Sequence, residues 1–167
     1  MRALSTKISG IAPSATMEIS EEAKRMKREG IDVISLSIGE PDFDTPQHIK
    51  DACCAALARG ETHYAPSNGI PELIHAIAEK VRTENHIECR PQEVIATCGA
   101  KDAIREAMEA VINPQDEVII IDPAWVSYEP AVLMAGGRVV HHAVNPKTFQ
   151  IDDTLSDRIS QKTRMII

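Results

Sequence analysis

From residue 93 onward, short apolar runs alternate with stretches of helical pattern, and this rhythm constrains the fold more than any other feature. The apolar runs cover 94–97, 117–121, 138–142 and 164–167, and the helical stretches between them cover 100–112, 125–135 and 152–159. The run 118–121 is continuously apolar, as expected of a strand covered on both faces. The sequence therefore predicts an α/β fold with a mostly parallel sheet flanked by helices.

The first ninety residues contain three further helical patterns. They cover 17–29, a segment from the cap Thr45 and Pro46 to Gly60, and a segment that begins at Pro71. Residues 31–36 alternate in polarity and predict a short strand. Residues 37–46 are rich in proline, glycine and aspartate, which predicts a loop.

Length and charge exclude several classes of protein. The chain has 167 residues, enough for one ordinary domain, and a net charge of −7 with acidic and basic residues interleaved. A nucleic-acid surface would need clustered Lys and Arg, so no nucleic acid is expected as a partner. Since neither an apolar run of membrane-spanning length nor a signal-peptide pattern is found, we expect no membrane partner and a cytoplasmic protein.

Cysteine and histidine spacing gives no sign of a metal site. Cys53, Cys54, Cys89 and Cys98 lack Cys-x-x-Cys spacing, and none of the six histidines forms a His-Glu-x-x-His motif. The cysteines are expected to be buried free thiols.

The last apolar run, 164–167, ends the sequence without a loop or helix after it. A core strand is seldom the last element of a domain, so we expect the chain to be the first part of a longer protein.

Two segments are spaced like the walls of one pocket. Thr97-Cys98-Gly99-Ala100-Lys101 joins a predicted strand to a helix, and Gly99 would let an anion approach the free amides of the first helical turn. Trp125 and Tyr128 follow the next strand, at the edge where α/β sheets bind ligands. Taken alone, the first segment fits a plain strand–helix turn, and Trp125 could be a core residue.

Together with other motifs, these residues resemble the fold-type I, pyridoxal-phosphate-dependent aminotransferases of the aspartate aminotransferase class. The resemblance covers nearly the whole chain, from Ser14-Ala15-Thr16 onward. It rests on the strings DVISLSIGEPDFDTP from Asp32, GETHY from Gly60, TCGAKDA from Thr97, PQDEV from Pro114, PAWVSY from Pro123 and AGG from Ala135. It implies residues 1–45 as an N-terminal helix and substrate loop, and 46–167 as the incomplete first half of the large cofactor-binding domain.

The resemblance also implies site roles for this chain. Gly99, Ala100 and Lys101 would hold the phosphate of pyridoxal 5′-phosphate, Trp125 would stack on its ring, and Tyr64 would reach the cofactor of the second subunit of a homodimer. Gly39 would meet the substrate carboxylate through its backbone. Thr16 and Lys101 would hold an acidic side chain, which implies aspartate as the amino acid and a 2-oxoacid as its partner substrate.

The residues of covalent chemistry in that class are missing from this sequence. The family continues with a Ser-x-Ser-Lys segment, an Asp that tunes the cofactor ring and a late Arg that clamps the α-carboxylate, and none of these motifs occurs here. We therefore expect no catalytic residue in these 167 residues and no transamination by the chain alone. A pyridoxal-phosphate lyase or synthase of the same fold, and a truncated non-catalytic paralogue, remain alternatives.

Overall fold

The computed structural model describes residues 5–167 and contains two compact units. One unit comprises the described residues up to Ser14 together with Thr97–Ile167, and the other comprises Ala15–Ala96. The division at residue 45 stays a prediction, and residues 1–4 of its first range lie outside the described residues. The helices are α1 (Thr6–Ser9), α2 (Ala15–Arg28), α3 (Gln47–Ala58), α4 (Pro71–Glu84), α5 (Ala100–Val111) and α6 (Tyr128–Ala135).

A parallel sheet forms the centre of the first unit. Its strands are β1 (Glu117–Asp122), β2 (Arg138–Ala143) and β3 (Thr163–Ile166), in the order β2-β1-β3. Val118 of β1 pairs with Val139 on one side and Met165 on the other, and both pairings are parallel. The predicted α/β architecture with a parallel sheet flanked by helices is confirmed.

The core lies where β1 meets the helices. Val118, Ile119 and Ile120 are each at most 1% exposed, and consecutive strand residues point to opposite faces, so both faces of β1 are covered. Val118 and Ile120 share one cluster with three other buried residues. These are Met108 of α5, Ile112 directly after α5, and Val132 of α6. Full burial of each such side chain contributes about 1.5–3 kcal/mol. This packing holds the N-terminal end of α5 beside the carboxyl end of β1.

The helix predicted over 125–135 begins three residues later, at Tyr128. Residues 123–127 form a turn instead, in which the Tyr128 amide donates to the Trp125 carbonyl at 3.0 Å. The helix ends at Gly136, whose φ of 86° is the left-handed conformation that closes many helices. Trp125 is therefore a loop residue rather than a helical one.

Two predicted strands are absent from the described residues, and the expectation for them was wrong. Residues 31–36 and 94–97 have no ladder partner, although both are extended or irregular rather than helical. Alternating polarity specifies a strand only where a neighbouring strand completes its hydrogen bonds. The helix predicted over 152–159 is a 3₁₀-helix, Asp153–Arg158, capped by the Asp152 carboxylate, which accepts from the Thr154 amide at 3.0 Å.

The second unit is helical and has a small core. Ile74 and Ala78 of α4 pack with Val94, and the Ala96 amide donates to the Asn68 carbonyl at 2.8 Å. The helix expected to have Thr45 as its cap is α3, and its cap is Pro46 instead.

Residues 33–37 run beside α2 and line a groove of about 650 Å³ with it. Ile34 and Leu36 remain about nine-tenths exposed, so this segment is not part of the core.

Candidate functional site

The turn before α5 is fixed by its own hydrogen bonds. The Gly99 amide donates to the Thr97 carbonyl at 2.7 Å, and the Thr97 hydroxyl donates to the Gly99 carbonyl at 3.0 Å. The Gly99 carbonyl also accepts the amides of Asp102 and Ala103, at 3.1 and 3.2 Å, which begins the helix. Gly99 has φ 89° and ψ 168°, a conformation that only glycine adopts readily.

The N-terminal end of α5 is open to a ligand. Gly99 is the cap residue and supplies no side chain to the first amides, and a Cβ built on it would meet nothing within 4 Å. The amides at the start of a helix lack partners within the helix, and the helix dipole is positive at this end. This geometry suits an anion such as a phosphate group.

The charges of the first turn of α5 favour the same conclusion. Asp102 would repel an anion, but its carboxylate accepts from Arg105 at 2.8 and 3.2 Å. The hydrogen bond with Asp102, followed by that with Glu109, raises the pKa of the Arg105 guanidinium. Arg105 thereby offsets the charge of Asp102, and Lys101 supplies a positive charge in the first turn.

Trp125 lies beside this turn, in the loop after β1. The residue is 43% exposed, and its ring meets the ring of Tyr128 edge to face, with centroids 5.6 Å apart and planes at 89°. The Lys101 Nζ lies 5.3 Å from the centroid of the Trp125 ring. The structure thus brings together the two segments that the sequence predicts to be walls of one pocket.

The other predicted site residues, Tyr64, Gly39 and Thr16, belong to the unit Ala15–Ala96. Tyr64 is fully exposed in a loop, and Gly39 lies in irregular backbone where an added Cβ would meet nothing within 4 Å. Thr16 lies in the first turn of α2 and is partly exposed. The roles of these three residues stay predictions.

Sequence analysis missed a hydrogen-bonded pair at the same edge of the sheet. His141 of β2 donates from Nδ1 to the Asp122 carboxylate at 2.7 Å. The sequence places both residues near the carboxyl ends of strands that run parallel. Recognising them as partners also requires the register between the two strands. His142, next along β2, is 3% exposed and its Nε2 lies 3.8 Å from the Asp152 carboxylate.

The four cysteines are free thiols that differ in exposure from what the sequence predicts. The prediction that the cysteines are buried was wrong: Cys53, Cys54 and Cys98 are exposed and Cys89 is half-buried, although all four are free thiols. Cys53 and Cys54 lie on α3, a helix without a buried residue, and Cys98 lies in the open turn before Gly99. Within residues 5–167, no three His, Cys, Asp or Glu side chains are grouped to hold a metal ion. In the same range, no helix combines the length and apolar character needed to cross a membrane.

Residues 31–167 match the model of the family described as aminotransferase class I and II. The chain belongs to this family. The resemblance to the aspartate aminotransferase class is thereby confirmed, and with it the assignment of the chain to a family of transferases.

Individual aminotransferases are similar over the whole chain. The aspartate/prephenate aminotransferase of Thermus thermophilus is 43% identical over 169 residues, which cover 100% of this chain and 44% of that protein. The aspartate aminotransferase of Bacillus subtilis is 41% identical over 166 residues, covering 98% and 42% respectively. The structure of aspartate aminotransferase from Thermus thermophilus with maleate superposes with a TM-score of 0.97 at 43% identity, covering 99% of this chain and 44% of that one. This member of the family thus spans less than half the length of the aminotransferases it matches.

Proposed function

We propose that the chain forms the N-terminal portion of a pyridoxal-phosphate-dependent aminotransferase, which transfers an α-amino group between an amino acid and a 2-oxoacid. The observation that carries the proposal is the open N-terminal end of α5 at Gly99, flanked by the exposed ring of Trp125 and the ammonium of Lys101. An anion site and a flat aromatic surface in one place are what a phosphorylated aromatic cofactor requires.

The residues present fit pyridoxal phosphate. The backbone of Gly99, Ala100 and Lys101 would hold its phosphate, since an added Cβ at Gly99 would point into open space. Trp125 would stack on its ring. When bound, the cofactor supplies an aldehyde that takes the amino group and a ring that withdraws electrons from the substrate α-carbon.

Three residues would supply the substrate contacts. The Gly39 backbone would donate to the substrate carboxylate, and Thr16 with Lys101 would hold an acidic side chain. The Thermus thermophilus aminotransferase structure is of that enzyme with maleate, a dicarboxylate. We therefore propose a dicarboxylic amino acid, aspartate, as the amino donor.

The same proposal includes a cytoplasmic homodimer in which Tyr64 serves the cofactor of the neighbouring subunit. Tyr64 is fully exposed, as an aromatic residue that contacts another subunit would be in an isolated chain. The chain by itself would bind the cofactor without turnover, because no Ser-x-Ser-Lys segment is among its 167 residues. Catalysis would need the lysine, aspartate and arginine that the family carries further along.

The test uses the single tryptophan of the chain as a reporter. Pyridoxine 5′-phosphate lacks the aldehyde and cannot react with surface lysines, so its binding reports the site alone. We expect it to quench Trp125 emission, to bind more tightly than pyridoxine, and to be displaced by inorganic phosphate. Equal affinity for pyridoxine and its phosphate would contradict an anion site at Gly99, and an unchanged emission would contradict stacking on Trp125.

A second measurement addresses catalysis. The chain is incubated with pyridoxal phosphate, L-aspartate and 2-oxoglutarate, and glutamate is measured. We expect no glutamate above the level formed by pyridoxal phosphate alone. Turnover that borohydride abolishes would show a competent lysine within this chain and overturn the proposed inactivity.

A further inference from the structure

Trp125 is contacted by residues from two different elements. The Lys101 ammonium, on the first turn of α5, lies 5.3 Å from the ring centroid, and the Tyr128 ring, on the first turn of α6, lies 5.6 Å from it. The loop between β1 and α6 is thereby tied to the N-terminal end of α5. Without the lysine contact, Tyr128 and the turn hydrogen bond would be left to orient the indole.

The lysine contact is of a kind that restricts the ring. The face of an indole carries negative charge density, and an ammonium within about 6 Å of its centroid is attracted to it. The neighbouring Asp102 carboxylate could compete for the ammonium, but Arg105 engages it at 2.8 Å. The base of the lysine is also fixed, because the Gly99 carbonyl holds the first helical turn through the amides of Asp102 and Ala103.

We infer that Lys101 is a positioning residue for Trp125, whose ammonium holds the indole in the orientation in which a cofactor ring stacks on it. This role rests on the proposed function and is separate from contact with a phosphate or an acidic substrate. It predicts that the orientation of the ring depends on the charge at position 101 before any ligand is bound.

The first experiment measures Trp125 in the ligand-free chain. The variants are Lys101→Gln, which removes the charge, and Lys101→Arg, which keeps it. Lys147→Gln, in the exposed turn after β2, is the control for loss of one positive charge. Each variant is checked for an unchanged urea unfolding midpoint, which is expected because residue 101 is exposed.

Iodide and acrylamide quenching separate charge from exposure. A cation about 5 Å from the ring raises the local iodide concentration roughly twofold to fourfold at low salt, whereas neutral acrylamide is unaffected. We expect Lys101→Gln to lower the iodide-to-acrylamide quenching ratio by that factor and to lower the emission anisotropy of Trp125. Lys101→Arg should restore both values, and Lys147→Gln should leave them unchanged. Unchanged ratio and anisotropy in Lys101→Gln would overturn the inference.

The second experiment separates positioning from phosphate binding. Pyridoxine and pyridoxine 5′-phosphate are titrated against the wild-type chain and Lys101→Gln. If Lys101 positions the ring, Lys101→Gln should bind both ligands more weakly than the wild-type chain by a similar factor. That factor should be roughly twofold to fivefold, which corresponds to the loss of an exposed cation–π contact. A loss confined to pyridoxine 5′-phosphate would overturn the inference and leave Lys101 as a phosphate contact. If neither ligand changes the wild-type emission, the proposed function fails and the positioning role fails with it, even where quenching supports the contact.

Discussion

His141 Nδ1 donates to the Asp122 carboxylate across the two neighbouring strands β1 and β2, at 2.7 Å. Asp122 is the last residue of β1 and lies three positions before Trp125. The other ring nitrogen, Nε2, lies 4.0 Å from the Glu129 carboxylate on α6. His141 therefore ties β2 to the end of β1, three residues before Trp125, and Glu129 at the start of α6 lies near the same ring.

Replacing His141 by Ala is expected to lower the free energy of unfolding by about 0.5–1 kcal/mol. The value is small because the side chains of His141 and Asp122 are 52% and 35% exposed, so solvent weakens the pair. Urea denaturation of His141→Ala, Asp122→Asn and the double variant measures the coupling. A coupling energy indistinguishable from zero would mean that the pair does not stabilise the loop.

Gly137 is enclosed by the core, and its replacement by Ala should be costly. A Cβ would lie 3.0 Å from Ile112 Cγ2, 3.0 Å from Val132 Cγ1 and 3.3 Å from the Asp116 carbonyl. Overpacking of this kind costs about 1–3 kcal/mol, since neither the strand nor the buried side chains can move freely. Thermal or urea unfolding of Gly137→Ala tests this expectation.

Val132→Ala supplies the matched control, because it removes the methyl group that the new Cβ would meet. We expect the double variant Gly137→Ala, Val132→Ala to be more stable than the sum of the single changes predicts. Gly136→Ala should also destabilise, through its φ of 86°, but an added Cβ there meets Pro114 only at 3.9 Å. Additivity of Gly137→Ala with Val132→Ala would show that the contact with Val132 Cγ1 is not the cause, and would leave Ile112 Cγ2 and the Asp116 carbonyl as the crowding atoms.

The elements that the sequence predicts well are those with local boundaries. The run 117–121 appears as Glu117–Asp122 and the helical stretch 100–112 as Ala100–Val111, because a buried apolar run and a glycine start are both local signals. Residues 31–36, which alternate in polarity, and residues 94–97, which are a short apolar run, lack a partner strand within residues 5–167. Strand formation depends on neighbours that a window of sequence does not contain.

In the candidate site, too, the sequence predicts the features that depend on local patterns and misses those that depend on distant residues. Spacing predicts that Gly99 and Trp125 each follow a strand of one sheet and lie at the same edge. The two segments do lie side by side, although residues 94–97 pair with no strand within residues 5–167. The contact of Lys101 with the Trp125 ring depends on side-chain conformations of two distant residues. The His141–Asp122 pair depends on the β1–β2 register, which polarity patterns do not specify.

Gly99→Ala is expected to destabilise the chain by about 1–3 kcal/mol, although nothing would crowd the new methyl group. The cause is the backbone, since φ 89° with ψ 168° is accessible to glycine almost alone. Gly39→Ala is the matched control, because its Cβ also meets nothing within 4 Å and its φ is outside the left-handed region. Urea unfolding should show a loss for Gly99→Ala and a change within about 0.5 kcal/mol for Gly39→Ala. Equal stability of the two variants would contradict the strained geometry at Gly99.

Asp116 should make stability depend on pH in the acid range. The Asn113 backbone amide, at 2.8 Å, is the main cause that holds the pKa of the Asp116 carboxyl below its usual range, and the Asn113 side chain and the Arg164 guanidinium at 3.2 Å add to it. A depressed folded-state pKa stabilises the fold above the unfolded-state pKa of about 3.9 and loses that effect as pH falls through the folded-state value. The free energy of unfolding should therefore fall below about pH 4, and Asp116→Asn should be less stable near neutral pH and show a smaller fall.

Arg164→Gln tests which partner of Asp116 dominates. It removes the charge on β3 but leaves both nitrogen donors of Asn113, including the backbone amide with the largest effect. We expect Arg164→Gln to keep most of the acid dependence that Asp116→Asn loses, when urea unfolding is measured from pH 6 to pH 3. If Arg164→Gln instead removes the dependence as fully as Asp116→Asn, the charge pair between β3 and the turn before β1 is the dominant interaction, and the turn 113–116 contributes little to the acid stability of the sheet.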